Sequence, residues 1–349
     1  MKRGTTDLCL VLAVDKPSGM TSHDVVSRAR RIFGEKRIGH TGTLDPLASG
    51  VLPLCVGPAT RLDQFLTGHD KSYVVSVVFG AATDTDDCDG EVIRTGVVPD
   101  EVFDPFFASV FVGGLVGKSK QLPPVYSAIK VGGTKACDAA RKGRVIDLAP
   151  RDIEVYSAEL LGIGGADGAE PARWDIAFKV SKGTYIRALA RDLGNELGVG
   201  GYLTRLRRTR VGRFALPDDT SGLIASESML DTRTHTVTAH TDQKMFTNRE
   251  GQTVTRNKCV LNTPEGLAGD ERRNWLLDHA LTMEQAARGA MPALDITPEE
   301  ASELRFGRRI ERTISEPTAA IVPQTHDVAA IIERANAHQA KPVTVFPLA

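Results

Sequence analysis

Residues 39–50 read GHTGTLDPLASG and place one carboxylate, that of Asp45, among small and apolar side chains. Three glycines and Pro46 make this stretch a poor helix and a poor central strand, which predicts a loop. No other Asp, Glu, Lys or Arg lies between Arg37 and Arg61. A carboxylate in apolar surroundings must be paired, or it takes up a proton. The stretch therefore predicts a loop with one functional carboxylate, and a simple Asp-Pro turn is the alternative.

The segments around this loop predict secondary structure of both types. Ser22 precedes apolar residues at helical spacing, and Gly34 ends that pattern. Residues 73–79 and 174–180 are rich in β-forming side chains and predict strands. Residues 186–197 repeat apolar side chains every three or four positions, which predicts an amphipathic helix. Because strands and helices follow one another at uneven spacing, the sequence favours an α+β domain over a regular alternation.

Arg187 lies in the first turn of the helix predicted at 186–197, where a cation opposes the helix dipole. A nearby anion would compensate for this placement. Pairing with Asp45 would keep that carboxylate ionised and available as a nucleophile. Arg187 is therefore one candidate for the cation that Asp45 needs.

Beyond residue 214 the pattern weakens and then recovers. Residues 232–256 contain eight threonines without helical periodicity, which fits either a hairpin or a mobile insertion. Thr297 begins a capping box with Pro298 at the first helical position, which predicts a helix. Later β-rich stretches predict a small C-terminal domain. The expected domains are 1–214 (catalytic), 215–280 (an insertion or linker) and 281–349 (small and β-rich).

The overall charge does not indicate a polyanionic partner, but one segment is strongly basic. Lys and Arg number 43 and Asp and Glu 44, a net charge of −1. Residues 181–213 nevertheless hold eight Lys or Arg against two acidic residues, and five of the arginines lie between Arg205 and Arg213. This segment fits a solvated face and a surface for a phosphate backbone equally well.

Other features narrow the chemistry. The five cysteines are widely spaced without a CxxC pair, which is typical of a reducing cytoplasm and argues against a zinc cluster. No apolar run is long enough for a membrane span. The acidic residues 83–90 fail the calcium-loop pattern and predict a solvated turn between strands. Motifs for nucleotide hydrolysis, dinucleotide redox and zinc proteolysis are absent, so we expect a reaction without a cofactor.

Six segments in order resemble the successive motifs of one family, the TruB pseudouridine synthases. They span most of residues 11–214. The segments are VDKPSGMTSHDVV (14–26), IGHTGTLDPLASGVLPLCVGPATR (38–61), KSYVVSVVFGAATDTDD (71–87), QLPPVYSAIKVGG (121–133), VSKGTYIRALARDLG (180–194) and GYLTRLRRTRVGRF (201–214).

This resemblance implies a pseudouridine-synthase fold with a mixed, largely antiparallel sheet. Residues 281–349 resemble a PUA-like RNA-binding domain. The implied reaction is isomerisation of uridine 55 in the T-loop of tRNA to pseudouridine. The implied partner is the tRNA T-stem-loop, with no metal, no other cofactor, no membrane, no obligate protein partner and a monomeric chain.

The resemblance also implies roles for single residues. Asp45 matches the catalytic aspartate, and Arg187 matches the arginine that pairs with it. Tyr73 matches a tyrosine that lies against the target base. His40 matches a histidine that fills the space left when the uridine flips out of its loop.

The remaining implied contacts lie later in the chain. Tyr185 and Leu206 match residues that line the uracil pocket. Arg205, Arg207 and Arg208 match positions suited to the RNA backbone. Two other functions compete with this interpretation: a tRNA-folding factor that acts by binding alone, and a uridine isomerase that needs a guide RNA and partner proteins.

Overall fold

The computed structural model describes residues 6–127, 129–144, 146–212, 214–216, 236–247 and 251–348. The expectations for Arg213 and for residues 217–235 and 248–250 lie outside these ranges. The chain folds into two compact units. The first comprises the described residues up to His69 and from Arg210 onward, and the second comprises those from Asp70 to Thr209. The expected domain boundaries at 214/215 and 280/281 stay predictions.

The secondary structure of the described residues is mixed. The helices are α1 (Ser22–Phe33), α2 (Asp63–Thr67), α3 (Pro105–Gly113), α4 (Ala136–Ala140), α5 (Ile186–Glu196), α6 (Gly269–Asp278), α7 (Met283–Ala290) and α8 (Pro298–Arg305). The strands up to α5 are β1 (Leu10–Lys16), β2 (Ile38–His40), β3 (Ser49–Val56), β4 (Lys71–Phe79), β5 (Ala81–Thr83), β6 (Val92–Thr95), β7 (Gly117–Gln121), β8 (Lys130–Val131), β9 (Thr134–Lys135), β10 (Arg151–Gly164) and β11 (Arg173–Val180). The later strands are β12 (Gly201–Val211), β13 (Phe214–Ala215), β14 (Thr236–Thr247), β15 (Thr253–Leu261), β16 (Leu281–Thr282), β17 (Ala293–Asp295), β18 (Thr318–Val322), β19 (Asp327–Arg334) and β20 (Ala340–Val345).

The first unit holds the Asp45 loop between two paired strands. Its sheet runs in the order β15-β14-β1-β3, and β2 pairs with β3. β1 is antiparallel to β3 and parallel to β14. Residues 41–48 connect β2 to β3 without regular structure, which confirms the loop predicted from the glycines and Pro46.

A second sheet of the same unit is formed near the C-terminus. It runs in the order β17-β18-β19-β20. Its side chains Ile321, Ile331 and Phe346 share one hydrophobic cluster with Val11 and Val51 of the first sheet. The prediction of β-rich structure in this part of the chain is confirmed.

The second unit contains a sheet in the order β12-β4-β11-β10-β7. β4 is antiparallel to β11, β11 to β10, and β10 to β7. Trp174 is fully buried there, packs against Phe79 at a ring-centroid distance of 4.7 Å, and donates its indole N–H to the Val102 carbonyl at 2.8 Å. The predicted α+β class, with a mixed and largely antiparallel sheet, is confirmed.

The start of α1 differs from the prediction by one residue. Thr21, not Ser22, caps this helix, because its hydroxyl accepts the Asp24 amide while the Asp24 carboxylate accepts the Thr21 amide. This capping box leaves the Ser22 hydroxyl available for a contact outside the helix. Gly34 ends the helix in the left-handed conformation at φ 66°, as predicted.

Within the region predicted as a hairpin or an insertion, the described residues form a hairpin. β14 and β15 pair antiparallel from Ala239 opposite Leu261 to Thr247 opposite Thr253. Cys259 and Leu261 of β15 are buried, so the base of the hairpin belongs to the packed structure. No helix within the described ranges is long and apolar enough to span a membrane.

Candidate active site

The Asp45 loop is fixed on its N-terminal side by one buried hydroxyl. The Ser22 hydroxyl donates to the Leu44 carbonyl at 2.9 Å and accepts the Leu44 amide at 2.8 Å. Leu44 is buried, whereas Asp45 itself is half-buried. The peptide groups next to Asp45 are thereby held while its carboxylate stays partly open.

The C-terminal side of the loop is held by a turn after β1. The Gly19 amide donates to the Pro46 carbonyl at 2.8 Å. This turn is closed by Lys16, whose fully buried ammonium donates to the carbonyls of Pro17 at 2.9 Å and Met20 at 2.7 Å. Lys16 therefore acts on the shape of the turn.

The predicted site residues come from both units. His40, at the end of β2, and Asp45 belong to the first unit, and all the others belong to the second. The expected ion pair between Asp45 and Arg187 stays a prediction, because its two residues belong to different units.

Arg187 connects three of the six motifs inside the second unit. Its side chain is only 6% exposed and donates to the carbonyls of Thr85 at 2.8 Å and Tyr126 at 2.9 Å. Its Nε lies 3.6 Å from the carboxylate of Asp87. The anion expected near this unfavourable helix position is therefore present, and the sequence analysis missed Asp87 as a source of it.

The turn 83–90 connects two strands as predicted, but it is solvated only in part, since Asp84 and Asp89 are exposed and two other acidic residues are not. Asp86 and Asp87 are buried, because arginines of α5 neutralise both. Arg191, one helical turn after Arg187, lies 3.2 Å from the Asp86 carboxylate. Burial raises the pKa of Asp86 to about 6, and the two arginines oppose this rise. The many acidic residues of this turn suggested that it is exposed to solvent. Arg187 and Arg191, at positions i and i+4 of α5, each pair with one of the two buried carboxylates, which explains their burial.

The backbone of Tyr185 is clamped by a side chain that the sequence analysis did not single out. The buried Gln121 donates from Nε2 to the Tyr185 carbonyl at 3.0 Å, and its Oε1 accepts the Tyr185 amide at 2.9 Å. Tyr185 directly precedes α5, so the clamp also fixes the start of the helix that carries Arg187. A glutamine carries no chemistry that a motif search detects, which is why it was missed.

The β12 residues differ strongly in exposure. Leu206 and Arg208 are buried, Arg207 is half-buried and Arg205 is exposed. Since side chains alternate along a strand, Leu206 and Arg208 share one face and Arg205 and Arg207 the other. Of these four side chains, Arg205 is the one fully open to a partner in solution.

Two further buried groups lie near each other in sequence on β4. Tyr73 is 7% exposed, and Lys71, on the same face of the strand, is also buried. Burial, and secondarily the charge of Arg208, lowers the pKa of Lys71 to about 8. Arg208 and Lys71 therefore place two cations close together in the interior of this unit.

The described residues contain no group of three or more His, Cys, Asp or Glu side chains placed to hold a metal ion. The carboxylates of Asp86 and Asp87 are paired with arginines instead. The positive charge of these guanidinium groups opposes the binding of a metal cation there.

Solved structures share the fold of this chain. A chain of a Cbf5-Nop10-Gar1 complex aligns with a TM-score of 0.59 and 24% identity, over 97% of this chain and 83% of that one. A chain of an H/ACA RNP bound to a substrate RNA containing 2′-deoxyuridine aligns with a TM-score of 0.58 and 22% identity, over 97% and 85%. These two likenesses show that this chain shares its fold with the aligned chains of both complexes.

Sequence relatives are closer and define the family. Residues 30–186 match the N-terminal domain of the TruB family of pseudouridylate synthases, 187–247 a tRNA pseudouridylate synthase B C-terminal domain, and 291–347 the C-terminal region of tRNA pseudouridine synthase II. A tRNA pseudouridine synthase B of Bifidobacterium longum subsp. infantis is 60% identical, covering 97% of this chain and 98% of its own. One of Paenarthrobacter aurescens is 36% identical, covering 96% and 94%. This chain belongs to the TruB family, as its six motifs predict.

Proposed function

We propose that this protein isomerises a uridine of tRNA to pseudouridine, and that the target is uridine 55 of the T-loop. The observation that carries the proposal is the 60% identity, over nearly the whole of both chains, to a protein named tRNA pseudouridine synthase B. Asp45 supports it, because the loop that presents this half-buried carboxylate is held on both sides by hydrogen bonds.

The reaction rearranges bonds within one nucleotide. The bond between N1 of uracil and C1′ of ribose breaks, and a bond between C5 and C1′ forms. The proton on C5 leaves and N1 gains one, so the balance needs neither an oxidant nor an external donor. A carboxylate can serve this sequence by attacking C1′ as uracil departs and by leaving when C5 attacks.

Access to the uridine requires that the base leave its loop. Unstacking costs about a few kcal/mol, which contacts to the flipped base and to the backbone must offset. We assign the base contacts to Tyr73, Tyr185 and Leu206, and the vacated space to His40. Arg205, the exposed arginine of β12, is the first candidate for the phosphate contact.

The direct test is incubation of the purified chain with an unmodified tRNA transcript, followed by site-resolved detection of pseudouridine. No guide RNA or second protein is added. We expect conversion at uridine 55. Conversion at another uridine of the tRNA would overturn the assignment of uridine 55 as the target but support the proposed reaction. Tight binding without conversion would favour a tRNA-folding factor, and conversion only with a guide RNA would favour a guided enzyme.

We expect Gln121→Ala to slow conversion while tRNA binding stays within about twofold. The change removes two hydrogen bonds to the Tyr185 backbone, each worth about 0.5–1.5 kcal/mol, so the single-turnover rate should fall about tenfold. Lys120→Ala, an exposed neighbour on β7, is the control. Equal rates for the two variants would show that the clamp does not position the base contact.

We expect Arg205→Ala to weaken tRNA binding and to reduce the salt slope of log K by about 1, because one phosphate contact is lost. Arg94→Ala removes the same charge from the exposed strand β6 and serves as the control. Arg208→Ala should instead lower the melting temperature, since this side chain is buried. If Arg205→Ala leaves the salt dependence of log K unchanged, Arg205 does not contact the tRNA backbone.

A further inference from the structure

A chain of hydrogen bonds leads from the β14–β15 hairpin to the Asp45 loop. On β15, the Asn257 amide donates from Nδ2 to the Gly19 carbonyl at 2.9 Å. The Gly19 amide donates to the Pro46 carbonyl at 2.8 Å. One side chain of the hairpin is thus two hydrogen bonds away from the residue that follows Asp45.

The link depends on the backbone conformation of Gly19. Its φ of 81° lies in the left-handed region, which a residue with a side chain rarely adopts. In this conformation both backbone polar groups of Gly19 are engaged, one by the hairpin and one by the loop. A second contact lies beside it, since the Thr241 hydroxyl of β14 donates to the Ser18 carbonyl at 3.3 Å.

The hairpin is itself anchored well enough to act as a support. Thr236–Thr238 of β14 pair with Ala13–Asp15 of β1, directly before the turn that contains Gly19. Cys259 and Leu261 are buried at its base, and β15 packs against α1. Its far end carries exposed residues such as Met245. The hairpin is therefore anchored by strand pairing and burial at the end that meets the turn.

We infer that the β14–β15 hairpin is a positioning element for catalysis and that Asn257 is its positioning residue. It acts on the Asp45 loop through Gly19 and Pro46. The inference rests on the proposed function, because it assigns the loop a reacting carboxylate. It gives the region after residue 214, which the sequence analysis described only as a hairpin or an insertion, a role in the same site.

The test compares Asn257→Ala and Asn257→Asp with Gln243→Ala. Gln243 lies directly opposite Asn257 on β14 and is exposed, so its removal is a matched change on the same face. Asn257→Asp keeps the shape but replaces the donor by a carboxylate that faces the Gly19 carbonyl. We expect both Asn257 variants to slow single-turnover conversion of tRNA about five- to tenfold, the size of one lost hydrogen bond with some displacement of the loop.

Three readouts separate positioning from a general loss of stability. For both Asn257 variants the tRNA dissociation constant should stay within about twofold and the melting temperature within about 2 °C, since only one partly exposed hydrogen bond is lost. Gly19→Ala, which strains the same link, should slow conversion too. The fold-reduction in rate of the double variant Gly19→Ala with Asn257→Ala should be smaller than the product of the two single reductions. Amide hydrogen exchange in residues 41–48 should be faster in Asn257→Ala than in Gln243→Ala.

The outcomes distinguish this inference from the proposed function. If the wild type converts tRNA, Asp45→Asn does not, and Asn257→Ala is as fast as Gln243→Ala, the positioning role is wrong and the proposed function stands. A slowing matched by an equal loss of stability or affinity also overturns it. If the wild type converts no tRNA, the exchange experiment decides: unchanged protection of residues 41–48 in Asn257→Ala rejects the link.

Discussion

Asp45→Asn is expected to stop pseudouridine formation, lowering the single-turnover rate by at least about 10⁴-fold, because an amide cannot act as the nucleophile that a carboxylate provides. Asparagine has the same shape, so the hydrogen bonds of Ser22 with Leu44 and of Gly19 with Pro46 should persist. Binding of tRNA should therefore stay within about fivefold of the wild type, which corresponds to about 1 kcal/mol. The measurement is site-resolved detection of pseudouridine in an unmodified transcript under enzyme excess.

Asp89→Asn is the matched control for this variant. It makes the same chemical change at an exposed carboxylate of the turn 83–90 and should leave the rate within about twofold, as surface substitutions usually do. A folded Asp45→Asn protein that converts tRNA at the wild-type rate would refute the proposed role of Asp45. Loss of conversion in both variants would point to a general effect of charge.

Local patterns in the sequence predicted local structure well. The glycines and Pro46 predicted the loop that carries Asp45, and the apolar spacing after Tyr185 predicted α5. These predictions succeed because loop formation and helix amphipathicity depend on neighbouring residues. The one-residue error at the start of α1 has the same origin, since Thr21 and Ser22 are both good caps and only the contact of Ser22 with Leu44 separates them.

The supports of the candidate site could not be predicted in this way. Gln121 meets Tyr185 across 64 residues, and Asn257 meets Gly19 across 238. Neither amide carries a charge, and the motif that begins at Gln121 does not say what this side chain contacts, so only the fold reveals the partner of each amide. The burial of Asp86 and Asp87 was missed for a related reason: a charged turn is solvated unless cations from elsewhere in the chain neutralise it.

The same neutralisation makes Arg187 a position where a substitution should strongly destabilise the second unit. Arg187→Met keeps much of the side-chain length but leaves the buried Asp87 carboxylate without this cation and the carbonyls of Thr85 and Tyr126 without these donors. Breaking a buried ion pair from one side costs about 3–5 kcal/mol, so the free energy of unfolding in urea should fall by that amount. Conversion of tRNA should fall with it, because the turn 83–90, residues 121–133 and α5 all meet at this guanidinium.

A second variant separates the loss of the ion pair from the loss of packing. Removing the carboxylate as well, in Arg187→Met with Asp87→Asn, should recover part of the lost stability, because the uncompensated buried charge disappears. Lys118→Ala, at an exposed position of β7, should change the free energy of unfolding by less than about 0.5 kcal/mol. If the double variant is no more stable than Arg187→Met, then Asp87 is not the group whose burial Arg187 permits. If Arg187→Met has the same free energy of unfolding as the wild type, other contacts hold the three segments together. The proposed contribution of Arg187 to the stability of this unit is then refuted.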